Sequence, residues 1–148
     1  KEVVINESIR TDFSNAKMSD VKIGKLNQEM HQKFFFADFS NTDLTGMQVS
    51  DIGFFGCDFN NALLENANVK KADFVQSDFR NAKMSNVSIE QSLFQFVSFE
   101  DAIMIDSIID DSTFIDVSLA NTNLQRTKIS IETFGTINFN CKNNSICN

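Results

Sequence analysis

An apolar residue recurs at every fifth position of this chain, and this period constrains the fold more than any other feature. The run begins at Phe39 and reaches Phe139 without a miss, so that 21 successive positions of the period are apolar. With 42% apolar residues in the chain, the odds of such a run by chance are on the order of one in 10⁸. A period of five fits neither a helix nor a single strand. It predicts short strands separated by tight corners, with two positions in every five pointing inward.

The apolar residue of each unit of five, which we call its centre, also repeats in type every twenty residues. The centres therefore fall into four columns. The first column is mostly phenylalanine, the second holds leucine and methionine, the third is β-branched and the fourth is aromatic. The members of the fourth column are Phe54, Phe74, Phe94, Phe114 and Phe134. Because twenty residues make four units of five, we expect four-sided coils in which like side chains stack at the strand spacing of about 4.8 Å.

A small residue lies two positions before most centres, often with Asp or Asn between them. Examples are Ala37-Asp38-Phe39 and Ala72-Asp73-Phe74. This tandem pattern closely resembles the pentapeptide-repeat proteins. The resemblance implies an all-β fold, a right-handed quadrilateral β-helix (a pentapeptide-repeat solenoid) of about six four-sided coils. It also implies that each centre residue and its small partner are buried.

The columns extend toward the N-terminus with one interruption. Phe13, Met18 and Ile23 occupy the first three columns, but Phe34 follows Ile23 by eleven residues instead of five. This spacing predicts a six-residue insertion at a corner, within residues 24–33. We therefore expect an N-terminal cap or irregular segment at 1–10, the β-helix at 11–141 and a polar C-terminal tail at 142–148.

The sequence carries little that indicates catalysis. The only histidine, His31, falls in the predicted insertion, and we interpret it as solvated surface. The sequence has no glycine-rich phosphate loop and no metal-ligand spacing of Cys and His. We therefore predict a protein that is not an enzyme, with no catalytic residues, no cofactor and no bound metal.

The net charge argues against nucleic acid binding, and the hydropathy argues against a membrane-spanning segment. A net charge of −7 and a pI near 4.6 argue against direct nucleic acid binding. No apolar run is long enough to span a membrane.

The chain starts at Lys1 without a signal-peptide layout, which fits a mature product or an excised domain. The compartment stays open, with a cytoplasmic location favoured and a secreted effector domain as the alternative.

Cysteines and glycosylation sequons give weaker signals. Cys57 occupies an inward position that predicts a buried thiol, whereas Cys141 and Cys147 could form a disulfide near the C-terminus. Three cysteines do not make a framework, so this pairing stays open. Asn-x-Ser sequons, which an Asn- and Ser-rich repeat generates by chance, begin at Asn6, Asn86 and Asn143.

Aligned carboxylates form the first of two surface features. An Asp precedes the centre of the first column in four successive coils, at Asp12, Asp38, Asp58 and Asp78. Further carboxylates lie in a stretch without Lys or Arg, and we include Glu100, Asp110 and Asp111 from it. A rod with aligned carboxylates can imitate the charge pattern of a DNA duplex. The alternative interpretation is that the repeat simply prefers Asp there and that the charge keeps the rod soluble.

An apolar face is the second feature. The residues that follow the centres of the aromatic column are predicted to point outward on one side, and others flank them. The candidate binding residues are Phe35, Phe36, Phe55, Val75, Phe96 and Ile115. Contiguous exposed apolar area usually marks an interaction surface, although the insertion or a terminal cap could cover part of it.

These features support two functional hypotheses. The first is a non-enzymatic protein-interaction module, a rigid rod that presents the apolar face to an unidentified protein or to a second copy of itself. The resemblance supports it, since bacterial pentapeptide-repeat proteins include many such modules. The alternative is an acidic DNA mimic that binds a type II topoisomerase such as DNA gyrase, because the chain resembles the gyrase-protecting proteins of quinolone resistance. The chain differs from those gyrase-protecting proteins in that no C-terminal dimerization helix follows its repeats.

Overall fold

Parallel strands stacked along one axis form the protein in the computed structural model, which describes residues 7–24, 32–134 and 137–138. No helix occurs within these ranges. The strands are β1 (Glu7–Ile9), β2 (Lys22–Gly24), β3 (Gln32–Phe35), β4 (Gln48–Phe55), β5 (Asn68–Val75), β6 (Ser88–Glu90), β7 (Leu93–Gln95), β8 (Ile108–Ile115), β9 (Val117–Ser118), β10 (Lys128–Phe134) and β11 (Ile137–Asn138).

Successive turns pair in parallel with a register of twenty residues. Between β4 and β5, Val49 pairs with Val69 and Phe54 with Phe74, so the predicted columns stack as like on like. About five turns are described, and the all-β pentapeptide-repeat solenoid predicted from the sequence is confirmed. The count of six coils stays a prediction, because the first and last turns include residues outside the described ranges.

Residues of positive φ mark the corners at intervals of five. The turn that follows Phe39 has them at Asn41, Gly46, Asp51 and Gly56, with φ between 53° and 70°. Four corners per turn support the predicted four-sided coil. Asn, Asp and Gly suit these positions because they tolerate the left-handed backbone region. The regularity of the stack imposes the same conformation on Phe36 and Phe96, whose side chains have no such preference.

Phenylalanine rings fill the interior. Rings of one column stack in parallel, with centroids 5.2 Å apart for Phe34–Phe54 and 4.9 Å for Phe54–Phe74. Rings of the first column meet them edge to face, as for Phe74 and Phe79 at 5.2 Å. A gap lined by Phe59, Phe74 and Phe79 among other core residues has a volume of about 10 Å³, which is about the least that holds one water.

Hydroxyl groups at the small inward positions join one turn to the previous one. Thr122 Oγ1 donates to the carbonyl oxygen of Phe99 at 2.7 Å, and Ser107 Oγ donates to that of Met84 at 2.8 Å. The Ser107 oxygen also accepts the backbone N–H of Val87 at 3.2 Å. These buried polar groups are therefore satisfied inside the apolar stack.

The register at the N-terminal end shows where the repeat is interrupted. Gly24 pairs with Ser50 and Gln32 with Ile52, so seven residues lie where the next turn has only Asp51. Those residues, 25–31, include His31 and are outside the described ranges. Parallel pairing also starts before residue 11, because β1 pairs with β3. The C-terminal tail and the Cys141–Cys147 pairing lie outside the described residues.

Candidate interaction face

Strand register brings the predicted apolar residues together on one side of the solenoid. Phe35 pairs with Phe55, Phe55 with Val75, Val75 with Gln95 and Gln95 with Ile115, which makes one ladder along the axis. Phe36 and Phe96 lie on the adjoining corner, since their backbone N–H groups bond to Phe55 and Ile115. We call the six predicted residues the phenylalanine face: Phe35, Phe36, Phe55, Val75, Phe96 and Ile115.

The ladder residues of this face are half-buried and not fully outward as the sequence pattern predicted. At Phe55 the missing side chain of Gly53, two positions earlier on the same side of β4, contributes to this burial. A Cβ at Gly53 would collide with the Phe55 ring, so the missing side chain lets that ring lie down against the strand. Phe35 then stacks on Phe55 with centroids 5.1 Å apart. The result is a flat, ordered aromatic surface.

The corner residues of the face are the exposed ones. Phe36 is 59% exposed and Phe96 is 52% exposed, the largest values for any described phenylalanine. The Phe36 ring covers Gly56 in the next turn, where a Cβ would lie 2.6 Å from its Cδ1 atom. A glycine at this corner therefore provides the space in which the ring rests.

Sequence reasoning missed one member of this surface. Ile9 is 65% exposed and pairs with Phe35, so it extends the ladder by one turn beyond the predicted set. The signal was present in the sequence but weak, because the centre of this turn is Ser8 instead of an aromatic residue. Only the pairing of β1 shows that the column continues.

A polar groove borders the phenylalanine face. Its volume is about 360 Å³, and Lys33, Asp51, Phe55, Lys71 and Asp73 are among the residues that line it. A second groove of about 560 Å³ shares Lys71 and Asp73 and continues along the stack toward Asp111. Charged groups of both signs thus lie beside the aromatic surface, as at the polar rim of a protein–protein interface.

The acidic ladder has a clear structural role. Asp12, Asp38, Asp58 and Asp78 stack as successive rungs of one parallel ladder. In each rung the carboxylate accepts the backbone N–H two residues ahead, at 2.8 Å for both Asp38 and Asp58. Hydrogen bonds from the hydroxyl and backbone N–H of Ser14 hold the pKa of Asp12 below its ordinary value. The carboxylates therefore stabilise the corners that follow them.

Two of the other predicted carboxylates lie on a different side from this ladder. Asp110 and Asp111 follow the third column, half a turn away along the chain from the first. Glu100 lies on the first-column side, where its carboxylate accepts the Ser118 hydroxyl at 3.0 Å. Asp78 is paired with Arg80 at 2.5 Å. The acidic residues are thus spread over different sides, and one of the ladder charges is neutralised.

A smaller apolar cluster lies elsewhere on the solenoid. Ile103 is 37% exposed and Ile108 is 47% exposed, and Ile105 between them is half-buried. We call these three residues the isoleucine patch. They lie within a single turn, whereas the phenylalanine face extends over several.

Chemically reactive groups are scarce in the part of the chain that the structure describes. Burial raises the pKa of the Cys57 thiol to about 11, so the thiol is neutral at ordinary pH. Its Sγ donates to the carbonyl oxygen of Phe34 at 3.6 Å, which confirms a buried structural residue. Residues 7–24 and 32–134 contain no group of three His, Cys, Asp or Glu side chains that could hold a metal ion. The described residues include no helix that could cross a membrane.

Known structures share the fold at low sequence identity. QnrB1, a plasmid-mediated fluoroquinolone resistance protein, superimposes with a TM-score of 0.53 at 17% identity, over 84% of this chain and 89% of that one. Rfr23, a pentapeptide-repeat protein from the cyanobacterium Cyanothece 51142, gives a TM-score of 0.43 at 17% identity, over 87% and 91% of the two chains. The first similarity supports the fold. No curated protein matches the sequence.

A match at the family level covers the centre and the C-terminal part of the solenoid. Residues 57–140 match the family described as the SV2A/B/C luminal domain. The matched segment includes the later turns of the stack, from Cys57 through β11. Because it spans more than half of the chain, the protein belongs to the SV2A/B/C luminal domain family, built here on the pentapeptide-repeat fold.

Proposed function

We propose that this protein is a non-enzymatic interaction module that binds a partner protein through the phenylalanine face. The observation that carries the proposal is the pair of exposed rings, Phe36 and Phe96, on the corner that adjoins the ladder in which Phe35 stacks on Phe55. Aromatic residues at the centre of a surface with a polar rim are the usual source of binding energy in protein interfaces.

Rigidity supports this role. The rings of Phe55 and Phe36 rest on Gly53 and Gly56, and Phe35 stacks on Phe55, so the positions of these three rings are set before a partner arrives. Binding to a preformed surface loses little conformational entropy, because few side chains must be ordered on association. The solenoid thereby acts as a scaffold that holds large apolar groups in a fixed array.

We further propose a luminal location. The support is the description of the family, which names luminal domains, and it favours a lumen over the cytoplasm expected from the sequence. A protease-protection assay on membranes from cells that express the full-length natural protein tests this. We expect an epitope in this domain to resist protease until detergent opens the membrane, and digestion without detergent would contradict it.

Paired variants test the interaction proposal. Phe36→Ser with Phe96→Ser removes the two exposed rings of the face, and Ile103→Ser with Ile108→Ser is the matched control at the isoleucine patch. Affinity capture from native extract is followed by quantitative mass spectrometry. We expect proteins retained by the unmodified chain and by the control to be lost at least tenfold with the face variant. Retention unchanged by the face variant would contradict the proposal.

A role at DNA gyrase is the second candidate, supported by the structural likeness to a fluoroquinolone resistance protein and by the stacked carboxylates. A supercoiling assay with bacterial gyrase, with and without a quinolone, tests it. Inhibition or drug protection at low micromolar protein, lost on Asp38→Lys with Asp58→Lys, would favour this candidate. The hydrogen bonds of the ladder to the backbone already account for its aspartates, which places this role second.

A further inference from the structure

A column of corner residues borders the phenylalanine face, and its residue types are ordered along the solenoid axis. Each member has a φ between 51° and 65° and directly follows a residue of the ladder, so there is one member in each turn. From the N-terminal end, this corner column consists of Arg10, Phe36, Gly56, Gln76, Phe96 and Asp116. A cation therefore lies at one end and an anion at the other, and an exposed ring lies one turn inside each end.

The corner column is complementary to its own reverse. When two copies face each other with antiparallel axes, a two-fold axis in the contact plane sets each column against the same column of the second copy in reverse order. With that axis midway between β4 and β5, Arg10 of one copy meets Asp116 of the other, and Phe36 meets Phe96. This arrangement pairs opposite charges at the ends and aromatic rings just inside them.

The other border of the face has the same symmetry. Its corner residues Asp51 and Lys71 lie in β4 and β5, on either side of that two-fold axis, so Asp51 of one copy meets Lys71 of the other. Arg10, Lys71 and Asp116 are exposed and Asp51 is half-buried, and the ion pairs between described residues all involve other side chains. These charges can therefore pair across two copies without breaking an ion pair in the described part of the chain.

Other registers bring like charges together. Sliding the second copy by one turn moves the two-fold axis onto β4, where Asp51 meets Asp51 of the other copy, or onto β5, where Lys71 meets Lys71. A parallel arrangement sets the two borders of the face against each other, so that Asp111 meets Asp116 in the turn of β8. Juxtaposed like charges cost binding energy. The charges therefore favour the antiparallel register centred between β4 and β5.

We propose that the phenylalanine face binds a second copy of this chain and forms an antiparallel two-fold dimer. The proposal rests on the proposed function, because it names the partner of that same face. From Arg10 to Asp116, six turns at the strand spacing give a contact about 24 Å long and one side of the solenoid wide. An interface of this size lies at the weak end of protein–protein contacts, so the dimer should depend on protein concentration.

Charge reversal at the ends of the corner column tests the dimer and its register. Sedimentation velocity of the chain at increasing concentration should show a shift from monomer to dimer. Arg10→Glu alone and Asp116→Arg alone should each weaken the dimer at least tenfold, because each sets like charges against each other at both ends. Lys22→Glu changes the net charge as Arg10→Glu does, at an exposed lysine on another side, and should leave the dimer unchanged.

Mixing the two charge-reversal variants tests the register most sharply. In a mixed pair, the introduced glutamate meets the introduced arginine, and the unmodified Arg10 and Asp116 meet each other. We therefore expect an equimolar mixture to dimerise about as strongly as the unmodified chain, which also shows that both variants are folded. An unmodified chain that stays monomeric at high micromolar concentration, or variants that do not associate when mixed, would overturn the proposal.

The Phe36→Ser with Phe96→Ser variant separates this proposal from the proposed function. If the unmodified chain is monomeric and this variant still loses a captured protein, the face binds a different protein and the self-association is wrong. If the unmodified chain dimerises and this variant dimerises equally well, the dimer does not use the phenylalanine face, and the antiparallel arrangement is wrong.

Discussion

At the scale of single residues, the inward phenylalanines and the outward ones have different roles although they are chemically identical. Phe74 is buried and contacts rings above, below and beside it. Phe55 lies one turn earlier, at the outward position directly after the buried centre. It is half-buried on Gly53, and the ring that it stacks with is Phe35. Stability therefore depends on the first kind, and the proposed recognition of a partner on the second.

Truncation separates these roles. Phe74→Ala should reduce the free energy of unfolding by about 3–5 kcal/mol, because it removes a buried ring and leaves a cavity that stacked neighbours cannot fill. Phe55→Ala should cost about 1 kcal/mol, since only part of that ring is withdrawn from water. Urea denaturation followed by circular dichroism measures both. Equal losses for the two variants would contradict this division.

The buried thiol gives a pH-dependent test. In a Cys141→Ser, Cys147→Ser background, Cys57 should resist alkylation at pH 8 in the folded protein and react rapidly in urea, because burial raises its pKa to about 11. Between the unfolded value of 9.0 and this folded value, the unfolded state releases the proton first. The contribution to stability is therefore complete below pH 9 and is lost as the pH rises toward 11. Fast labelling of the native protein at pH 8 would contradict the assignment.

Sequence pattern predicted the members of the phenylalanine face but not their exposure. Their shared column followed from the period of five, because the period determines which positions point away from the core. The collapse of Phe55 onto Gly53 depends on a contact between two outward positions of one strand, for which the repeat contains no signal. Ile9 was missed because its turn has Ser8 in place of an aromatic centre.

At the scale of elements, the corners are stabilised by side chains that accept backbone N–H groups. Asp58 accepts that of Asn60 at 2.8 Å, and Asp43 accepts that of Thr45 at 3.1 Å. Hydrogen bonds, first among them that from the Ser19 hydroxyl, hold the pKa of Asp43 below its ordinary value. The preference of the repeat for Asp at this position thus has a local physical cause.

Isosteric substitution tests this cause at a central corner. Asp58→Asn keeps an oxygen acceptor and should leave the unfolding free energy nearly unchanged, whereas Asp58→Ala should lower it by about 1 kcal/mol through loss of the hydrogen bond. Thermal and urea denaturation compare the two. A cost as large for Asn as for Ala would show that charge, and not the acceptor, matters at this position.

Corners were only partly predictable from sequence. Two positions after the centres of the first column the chain has Asn41, Asn61 and Asn81, a residue type that tolerates the left-handed region, and their φ lies between 55° and 58°. Lys71 and Phe96 adopt the same conformation without any intrinsic preference, since turns above and below fix their backbone. Cooperative stacking overrides local propensity at such positions.

At the scale of the whole molecule, each turn is stabilised mainly by the turns above and below it. Leu64 donates its N–H to the carbonyl oxygen of Lys83 and Met84 donates to that of Ile103, both at 2.7 Å, so these backbone hydrogen bonds join successive turns. This is the behaviour of a solenoid whose stability is a sum of neighbouring interfaces. The period of five predicted this solenoid architecture, while the insertion and the ends depend on residues that break the period.

Hydrogen exchange should follow the same order. We expect the amides of Leu64 and Met84 in the central turns to exchange at least tenfold more slowly than that of Arg10, which belongs to the turn of β1. Native-state exchange read by mass spectrometry or NMR gives the profile. Uniform protection from β1 to β10 would contradict a stack of neighbour-dependent turns.

Site-specific photo-crosslinking tests the central claim, that the phenylalanine face is the interaction surface, most directly. A benzoylphenylalanine replaces Phe36 or Phe96 in the full-length natural protein, with Asn66 and Gln48 as control positions on other sides of the solenoid. We predict crosslinks to one and the same partner protein from both face positions and none from the controls. Crosslinks from the control positions, with none from Phe36 or Phe96, would contradict the account.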